Sequence, residues 1–515
     1  MFIPKSILQK LYTKGSLRLV EDGIQFELKN RLKAASLHSV ASLVFNKKTV
    51  PLEDVTLKHA QEHELKTFNI SDKKLELPLG ATLHFKISFD GLDIRDSNHI
   101  AVTLELAPFG EVVLEVKDVI RELGDEDAQI PRDPHDNLSP DIIRQRQEYV
   151  RDQCQTDAPL LFDYRGPTDP FNGNIENFIG AAQVPVGIAG PLKILGDHAN
   201  GEFHVPLATT EGTLVASYSR GMKVVSQCGG VKVTVFESVM QRAPVFVFAD
   251  ANNARSFLEW LYKDEQLEAI RENAEATDPF VKFKRIEPYT ANKFVFVRFN
   301  FETGDAAGQN MVGQATYAAC NWILANYPDV QNFYLEGNMA TDKKASQINT
   351  LHTRGKRVTA EVTLKKAVLQ DVMHVDPVQV DYHARVAAIG SFLAGVNNNG
   401  LHAANGLAAM FIATGQDAAN IAESSTGILY SEITQDGDLY LSLTLPSLIV
   451  ATHGGGTGLP TQQECLKIMG CTGQNSALKF AEIAAATALA GEISLASAIS
   501  SLDWVSSHEQ YGRNR

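Results

Sequence analysis

The sequence predicts a mixed α/β protein of several domains, with an all-β, sandwich-like segment ahead of a larger α/β region. Three observations carry this. The chain has 515 residues, 44% of them hydrophobic, enough to bury the cores of two or three domains. Its first ~120 residues alternate apolar and polar positions with period two, the pattern of half-buried strands. Beyond Glu176 the composition shifts to Gly, Ala, Thr and Asn between short apolar runs, the texture of a compact α/β enzyme with close backbone approaches.

Within residues 1–120, strand-like runs fall at Ile24–Leu28, Val40–Phe45 and Leu83–Phe89. Ile100, Val102, Leu104 and Leu106 form a further run, and Val112, Leu114 and Val116 another. Pro108-Phe109-Gly110 between these two supplies the turn of an antiparallel hairpin. The spacing is that of a small β-sandwich, and no catalytic constellation lies in it. Residues 121–174 turn polar and proline-rich and read as a connector, interrupted by a helix from Pro140 to about Gln153 with Ser139 as N-cap. Gly406–Ala413 and Ala484–Ile499 are Ala-rich and interrupted by polar residues, short of the roughly 20 apolar residues of a membrane span, and read as buried helices. Ala477–Leu502 reads as one or two such helices, and the tail 504–515 is polar.

A net charge of −14 argues against a nucleic-acid partner, because no basic surface is available to displace counterions from phosphates. Cys154, Cys228, Cys320, Cys465 and Cys471 are scattered without a CxxC pair, which fits free thiols in a reducing cytoplasm. The start MFIPKSILQKLY lacks the apolar run of a signal peptide, since Lys5, Gln9 and Lys10 interrupt it. No GxSxG elbow occurs and SALK at Ser476–Lys479 lacks companion motifs, which disfavours a serine acyl hydrolase.

Four segments place ionisable groups among small or apolar residues. In PLATTEGTLVAS, Glu211 is either a proton donor or part of a helix start. In EGNMATDKKAS, Asp342, Lys343 and Lys344 are either a charged site, with one ammonium placed against a developing alkoxide, or a solvated turn. In GLAAMFIATGQDAANIAESS, Asp417 sits in a helix-like apolar stretch, where a buried carboxylate requires a cationic or hydrogen-bonding partner. In SSHEQYGRNR, His508 is either a mobile proton donor or an exposed terminal side chain. The glycine-rich stretches TGDAAGQNM and THGGGTGLP lack Rossmann spacing, and could bring backbone N–H groups to phosphates or simply form tight turns.

Taken together and in order, these segments resemble the HMG-CoA reductase family over residues ~175–515, in its soluble form of the eukaryotic and archaeal class. ENFIGAAQVPVGIAGPL at Glu176–Leu192 resembles the family's dimerisation motif, and ATTEG, the TDKK run, HAAN, GQDAAN, the LPS…GGGT run and the terminal Ser-His follow. The resemblance implies a large substrate domain (175–228 and 335–503) interrupted by a small ferredoxin-like dinucleotide domain (229–334). It implies that Glu211, Lys343, Asp417 and His508 are catalytic. Lys343 would stabilise the oxyanion, Glu211 protonate the aldehyde-level oxygen, Asp417 tune the Lys–Glu pair and His508 protonate the CoA thiolate. Arg242, Asp342, Lys344, Ser217, Arg220, His402 and Asn405 fall at substrate-contacting positions. Asp305, Gly308, Gln309, Asn310, Asp278, Gly455 and Gly456 fall at positions facing the dinucleotide, NADPH or NADH. It further implies no metal, and homodimers or larger homo-oligomers whose sites face Glu211 of one subunit with Lys343 and Asp417 of another.

The chain departs from the family pattern at four places. DAMG-x-N becomes Asp305-Ala306-Ala307-Gly308-Gln309-Asn310. Asp278-Pro279-Phe280 stands where Ser-Arg-Phe is usual; an acid there repels a 2′-phosphate but accepts a ribose hydroxyl, which opens NADH use beside NADPH and leaves the preference unresolved. Glu336 replaces a serine and Val386 a lysine, with Arg385 adjacent, which opens the alternative of a different acyl-CoA thioester. A non-catalytic CoA-binding or scaffold protein is the alternative from another class.

Overall fold

The computed structural model describes residues 8–20, 23–31, 34–59, 65–66, 74–88, 93–120, 130–133, 136–164, 166 and 168–501. Two antiparallel sheets pack face to face at the N-terminal end. One runs in the order Arg18–Val20, Gly23–Lys29, Thr82–Ile87, Val55–His59, Leu65–Lys66. The other runs Gly110–Asp118, Asn98–Ala107, Ala35–Phe45, Lys48–Thr49, with Leu75–Leu77 also paired to Ala35–Phe45. Period-two alternation produces this directly: Ile100, Val102, Leu104 and Leu106 are all buried and meet Phe26, Phe85 and Leu43 in one core. The hairpin forms as the sequence predicts, with Val112 opposite Leu104 and Leu114 opposite Val102. Phe89, placed at the end of one strand-like run, lies outside the described residues.

The connector helix runs Pro140–Cys154, and Ser139 Oγ accepts the Ile142 N–H at 3.4 Å. Its face packs Ile142 and Ile143 on Phe178. Arg146 is fully buried and donates to the carbonyls of Pro131, Asn137 and Phe178, so the guanidinium replaces hydration with three backbone acceptors.

The larger region is built on a sheet ordered Asn200–Ala208, Val186–Gly196, Val231–Arg242, Gly355–Leu364, Leu439–Leu448, Ile428–Ile433. The helix Ser476–Ser500 packs against the helix Leu214–Gln227 and this sheet. By length and composition it could cross a membrane, longer than its interrupted Ala-rich pattern suggests, but 83% of its apolar window is buried in the protein. The packing is close: at Gly406 and Gly491 a Cβ would come within 2.3 and 2.4 Å of the Tyr218 ring.

A second, phenylalanine-rich core (Phe246, Phe248, Phe257, Phe299, Phe301) belongs to a βαββαβ unit. Its strands lie in the order Asn332–Tyr334, Val245–Val247, Phe294–Glu302, Lys282–Ala291, all antiparallel. That is the ferredoxin-like arrangement. The long strand Val231–Arg242 spans both regions, since its last residues Met240–Arg242 pair with Phe299–Phe301. The β-sandwich touches this unit: Lys10 Nζ donates to the Phe333 carbonyl at 3.0 Å and lies 4.2 Å from the Tyr334 ring centroid.

Candidate active site

The loop after Asn332–Tyr334 holds three non-glycine residues with left-handed backbone, Asn338, Thr341 and Lys343 (φ 64°, 53° and 57°). Such conformations persist only where surroundings hold them. Here the Lys343 N–H donates to Glu423 Oε1 at 3.0 Å, and Arg354 Nη2 donates to Asp342 Oδ1 at 2.6 Å. Arg354 and Glu423 are both fully buried, 3.5 Å apart, and Arg354 Nη1 also donates to the Gln241 carbonyl. Burial raises the pKa of Glu423 despite the N–H it accepts. Burial would also raise that of Asp342, but the Arg354 and Arg242 guanidinia outweigh it and hold the carboxyl below its ordinary range.

From this loop Lys343 Nζ reaches Asp417 Oδ2 at 2.8 Å. The hydrogen bond to Asp417 raises the lysine pKa, so the amine stays an ammonium. Asp417 is not buried as the apolar stretch suggests. The helix Ala403–Thr414 ends at Gly415, and Asp417 follows as the exposed N-cap of a short turn, accepting the Ala419 N–H at 3.1 Å. Asp417 is therefore a half-open group paired to one cation.

Glu211 sits exposed between the strand Asn200–Ala208 and the helix Leu214–Gln227, where Oε1 accepts from Asn405 Nδ2 at 3.4 Å. Lys343 pairs with Asp417, and among the described residues Glu211 makes no ion pair with it. Asn405 also lies 3.2 Å from His402 Nδ1, and His402 Nε2 lies 3.3 Å from Ser217 Oγ. Burial lowers the His402 pKa to about 4, so the ring is neutral near pH 7. Beneath it, the buried Glu492 accepts the N–H groups of Leu401, His402 and Ala403. Arg220 is bound to the oxygens of Ser494. The sequence singled out neither Glu492 nor the Arg354–Glu423 pair. A lone acid in the Ala-rich run GEISLASA was the available signal for Glu492.

The two glycine-rich stretches lie side by side. Ala306 forms a parallel bridge with His453, and the Asp305 carbonyl accepts the N–H groups of Thr452 and His453. Asp305's carboxylate oxygens take the N–H groups of Asn475 and Ala477 at 2.8 and 2.9 Å, fixing the start of the long helix. Gly308 (φ 80°) precedes the helix Gln309–Asn326, and a Cβ there would lie 2.3 Å from Thr303. Asn310 is exposed in the first turn of that helix. Gln309 points inward, its amide donating to Asp342 and Asn420. Gly455 and Gly456 begin a short turn whose Gly456 carbonyl abuts Gly415. Below, Lys356 is buried with Nζ on the Val450 carbonyl at 2.9 Å; burial lowers its pKa to about 8, opposed by Asp305.

Asp278 Oδ1 accepts the Phe280 N–H at 2.8 Å, closing a turn that exposes Phe280. Arg242 faces Glu336 at 3.6 Å and Asp342 at 3.4 Å, while Lys344 Nζ donates to the Asp342 carbonyl. Arg385 pairs with Asp381 on its own helix, and Val386 is exposed. His508 lies outside the described residues.

The hydroxymethylglutaryl-coenzyme A reductase family pattern matches residues 142–513, and that of the hydroxymethylglutaryl-CoA reductase N-terminal domain matches residues 7–121. A 3-hydroxy-3-methylglutaryl-coenzyme A reductase of Pyrococcus abyssi is 42% identical over 356 residues, 67% of this chain and 86% of that protein. One of Methanothermobacter thermautotrophicus is 40% identical over 376 residues, 72% of this chain and 94% of that protein. The class II reductase of Streptococcus pneumoniae, solved bound to NADPH, superposes with a TM-score of 0.53 at 21% identity, covering 69% of this chain and 86% of that one, a likeness of fold. The chain belongs to the hydroxymethylglutaryl-coenzyme A reductase family.

Proposed function

We propose that the protein reduces 3-hydroxy-3-methylglutaryl-CoA to mevalonate and free CoA. The observation that carries this reading is the Lys343–Asp417 pair, a fixed ammonium held by a deeply anchored loop in a chain about 40% identical to named reductases. Lys343 donates to the thioester oxygen as negative charge develops there, the electrostatic role worth most in carbonyl chemistry. Asp417 keeps the amine protonated and oriented. His508 gives a proton to the departing thiolate, and Glu211 gives one to the oxygen at the aldehyde level. The neutral His402, with Ser217 and Asn405, orients the thioester arm, and Arg242 and Lys344 face the acyl carboxylate.

The two hydrides required come from a nicotinamide dinucleotide. Residues suited to hold one are present: the N–H groups that open the helix at Gly308-Gln309-Asn310 stand next to the Gly454–Gly456 turn through the Ala306–His453 bridge, a paired backbone cradle for phosphates. Asp278 has one carboxylate oxygen on its own turn, and its charge favours NADH over NADPH.

The reading includes a homodimer or larger homo-oligomer in which Glu211 of one subunit meets Lys343 of another. The helix Pro377–Ala394 supports it, since Tyr382, Ile389, Phe392 and Leu393 are 64–83% exposed, an apolar face that a monomer has no reason to keep. A cytoplasmic location accords with five free thiols. Incubating the purified protein with HMG-CoA and either NADPH or NADH, while following the nicotinamide absorbance, tests the reading. Steady oxidation that requires the thioester is expected, and none with either cofactor would remove it.

A further inference from the structure

Arg242 meets two carboxylates of its own chain. One, Asp342, is heavily shared: Arg354 Nη2 lies 2.6 Å from Oδ1, and Gln309 Nε2 lies 3.2 Å from the same oxygen. The other, Glu336, has Arg242 as its cation, with Oε2 at 3.6 Å from Nη1. Its second oxygen, Oε1, accepts the Asn338 N–H at 2.7 Å, which holds the carboxylate over its own turn and toward the guanidinium. The turn packs closely on the small domain, since a Cβ at Gly337 would lie 2.9 Å from the Phe296 ring. The Arg242 side chain is 18% exposed, and its Nη2 donates to the Gln309 carbonyl at 3.1 Å. Its Nη1 edge faces both Asp342 and Glu336, so an incoming anion at that edge meets a carboxylate already there. Glu336, 43% exposed against 28% for Asp342, is the carboxylate that can be displaced.

We propose that Glu336 is a specificity-determining residue: an internal carboxylate that occupies the anion subsite at Arg242 and biases the site against acyl groups ending in a free carboxylate, relative to uncharged ones. This rests on the reading that Arg242 faces the acyl end of the thioester. A substrate carboxylate must either displace Glu336 from Nη1 or bind beside it, and like charges at that separation repel. An acyl chain with a neutral end has no such competitor.

The test compares wild type with Glu336→Gln and Glu336→Ser, using HMG-CoA and a 3-hydroxyacyl-CoA of similar length with a methyl terminus. For Glu336→Gln the KM for HMG-CoA should fall roughly three- to tenfold at low ionic strength, with kcat moving less and the methyl-terminated thioester unaffected. Added salt should narrow the gap, because the site is open enough to be screened. A KM for HMG-CoA that stays or rises, or an equal shift for both thioesters, overturns the proposal. Calorimetric binding of HMG-CoA needs no turnover. It therefore reads the subsite even where the reductase reading fails: tighter binding in the variant supports the role of Glu336, and unchanged binding overturns it.

Discussion

The wholly buried carboxylate of Glu423 accepts the backbone N–H of Lys343, a residue whose φ of 57° is a conformation that L side chains seldom adopt. The amine proposed to carry the chemistry is thus fixed from below by an acid that never meets substrate. Arg354, equally buried, balances that acid and grips Asp342 next to the lysine. Arg354→Leu leaves the buried Glu423 carboxylate without its cation and should cost about 3–5 kcal/mol in urea unfolding, whereas Glu423→Ala leaves Arg354 its ion pair with Asp342 and should cost less. The double variant should cost less than the sum of the two. Strict additivity would show that the groups are not coupled.

Lys343→Ala removes the ammonium but leaves the backbone N–H on Glu423. Thioester-dependent dinucleotide oxidation should fall by roughly 10²–10³-fold or more, with the melting temperature nearly unchanged. Asp417→Asn, which keeps the shape and removes the charge that favours the ammonium, should lower kcat less. An active Lys343→Ala enzyme would take the lysine out of the mechanism.

His402 should make the protein acid-sensitive. Its folded pKa of about 4 lies below the unfolded value near 6.5, so the unfolded chain binds the extra proton between these pH values. Its contribution is fully present above about pH 6.5 and is lost as pH falls toward 4, about 3 kcal/mol in all. Urea unfolding of His402→Gln should show a correspondingly shallower decline over this window. Parallel declines in the two proteins would count against it.

Gly415 (φ 69°) has no room for a methyl group, since a Cβ would lie 2.1 Å from the Gly456 carbonyl oxygen. Gly415→Ala should displace the Gly454–Gly456 turn and raise the dinucleotide KM more than the HMG-CoA KM. Gly454→Ala shares a positive φ but meets nothing within 4 Å, so it should show the backbone cost alone. Equal effects of the two substitutions would remove the close contact from the account.

Although Arg18–Val20, Lys48–Thr49, Val55–His59, Leu65–Lys66 and Leu75–Leu77 were not singled out, the longer strands of the β-sandwich were legible residue by residue, because period-two burial such as that at Ile100, Val102, Leu104 and Leu106 is a local property of the chain. The helix at Pro140 was equally so, through Ser139. The site was legible only as an ordered set of motifs. Taken alone, DKK reads as a surface turn, and Lys343 and Asp417 are indeed half exposed. What escaped the sequence is the support beneath: Arg354, Glu423 and Glu492 are single charges in ordinary surroundings, and only the fold shows that each faces backbone N–H groups or its counterion. The Ala306–His453 bridge, which joins two glycine-rich stretches far apart in the chain, has no local signature either.

The central claim is that Lys343 and Asp417 of one subunit act with Glu211 of another. It is tested most directly by mixing Lys343→Ala chains with Glu211→Gln chains after reversible subunit dissociation and assaying HMG-CoA-dependent dinucleotide oxidation. Each variant alone should be inactive, and the mixture should regain part of the wild-type rate, because mixed oligomers contain sites with both groups intact. A mixture that forms hybrid oligomers yet stays as inactive as its parents would contradict it.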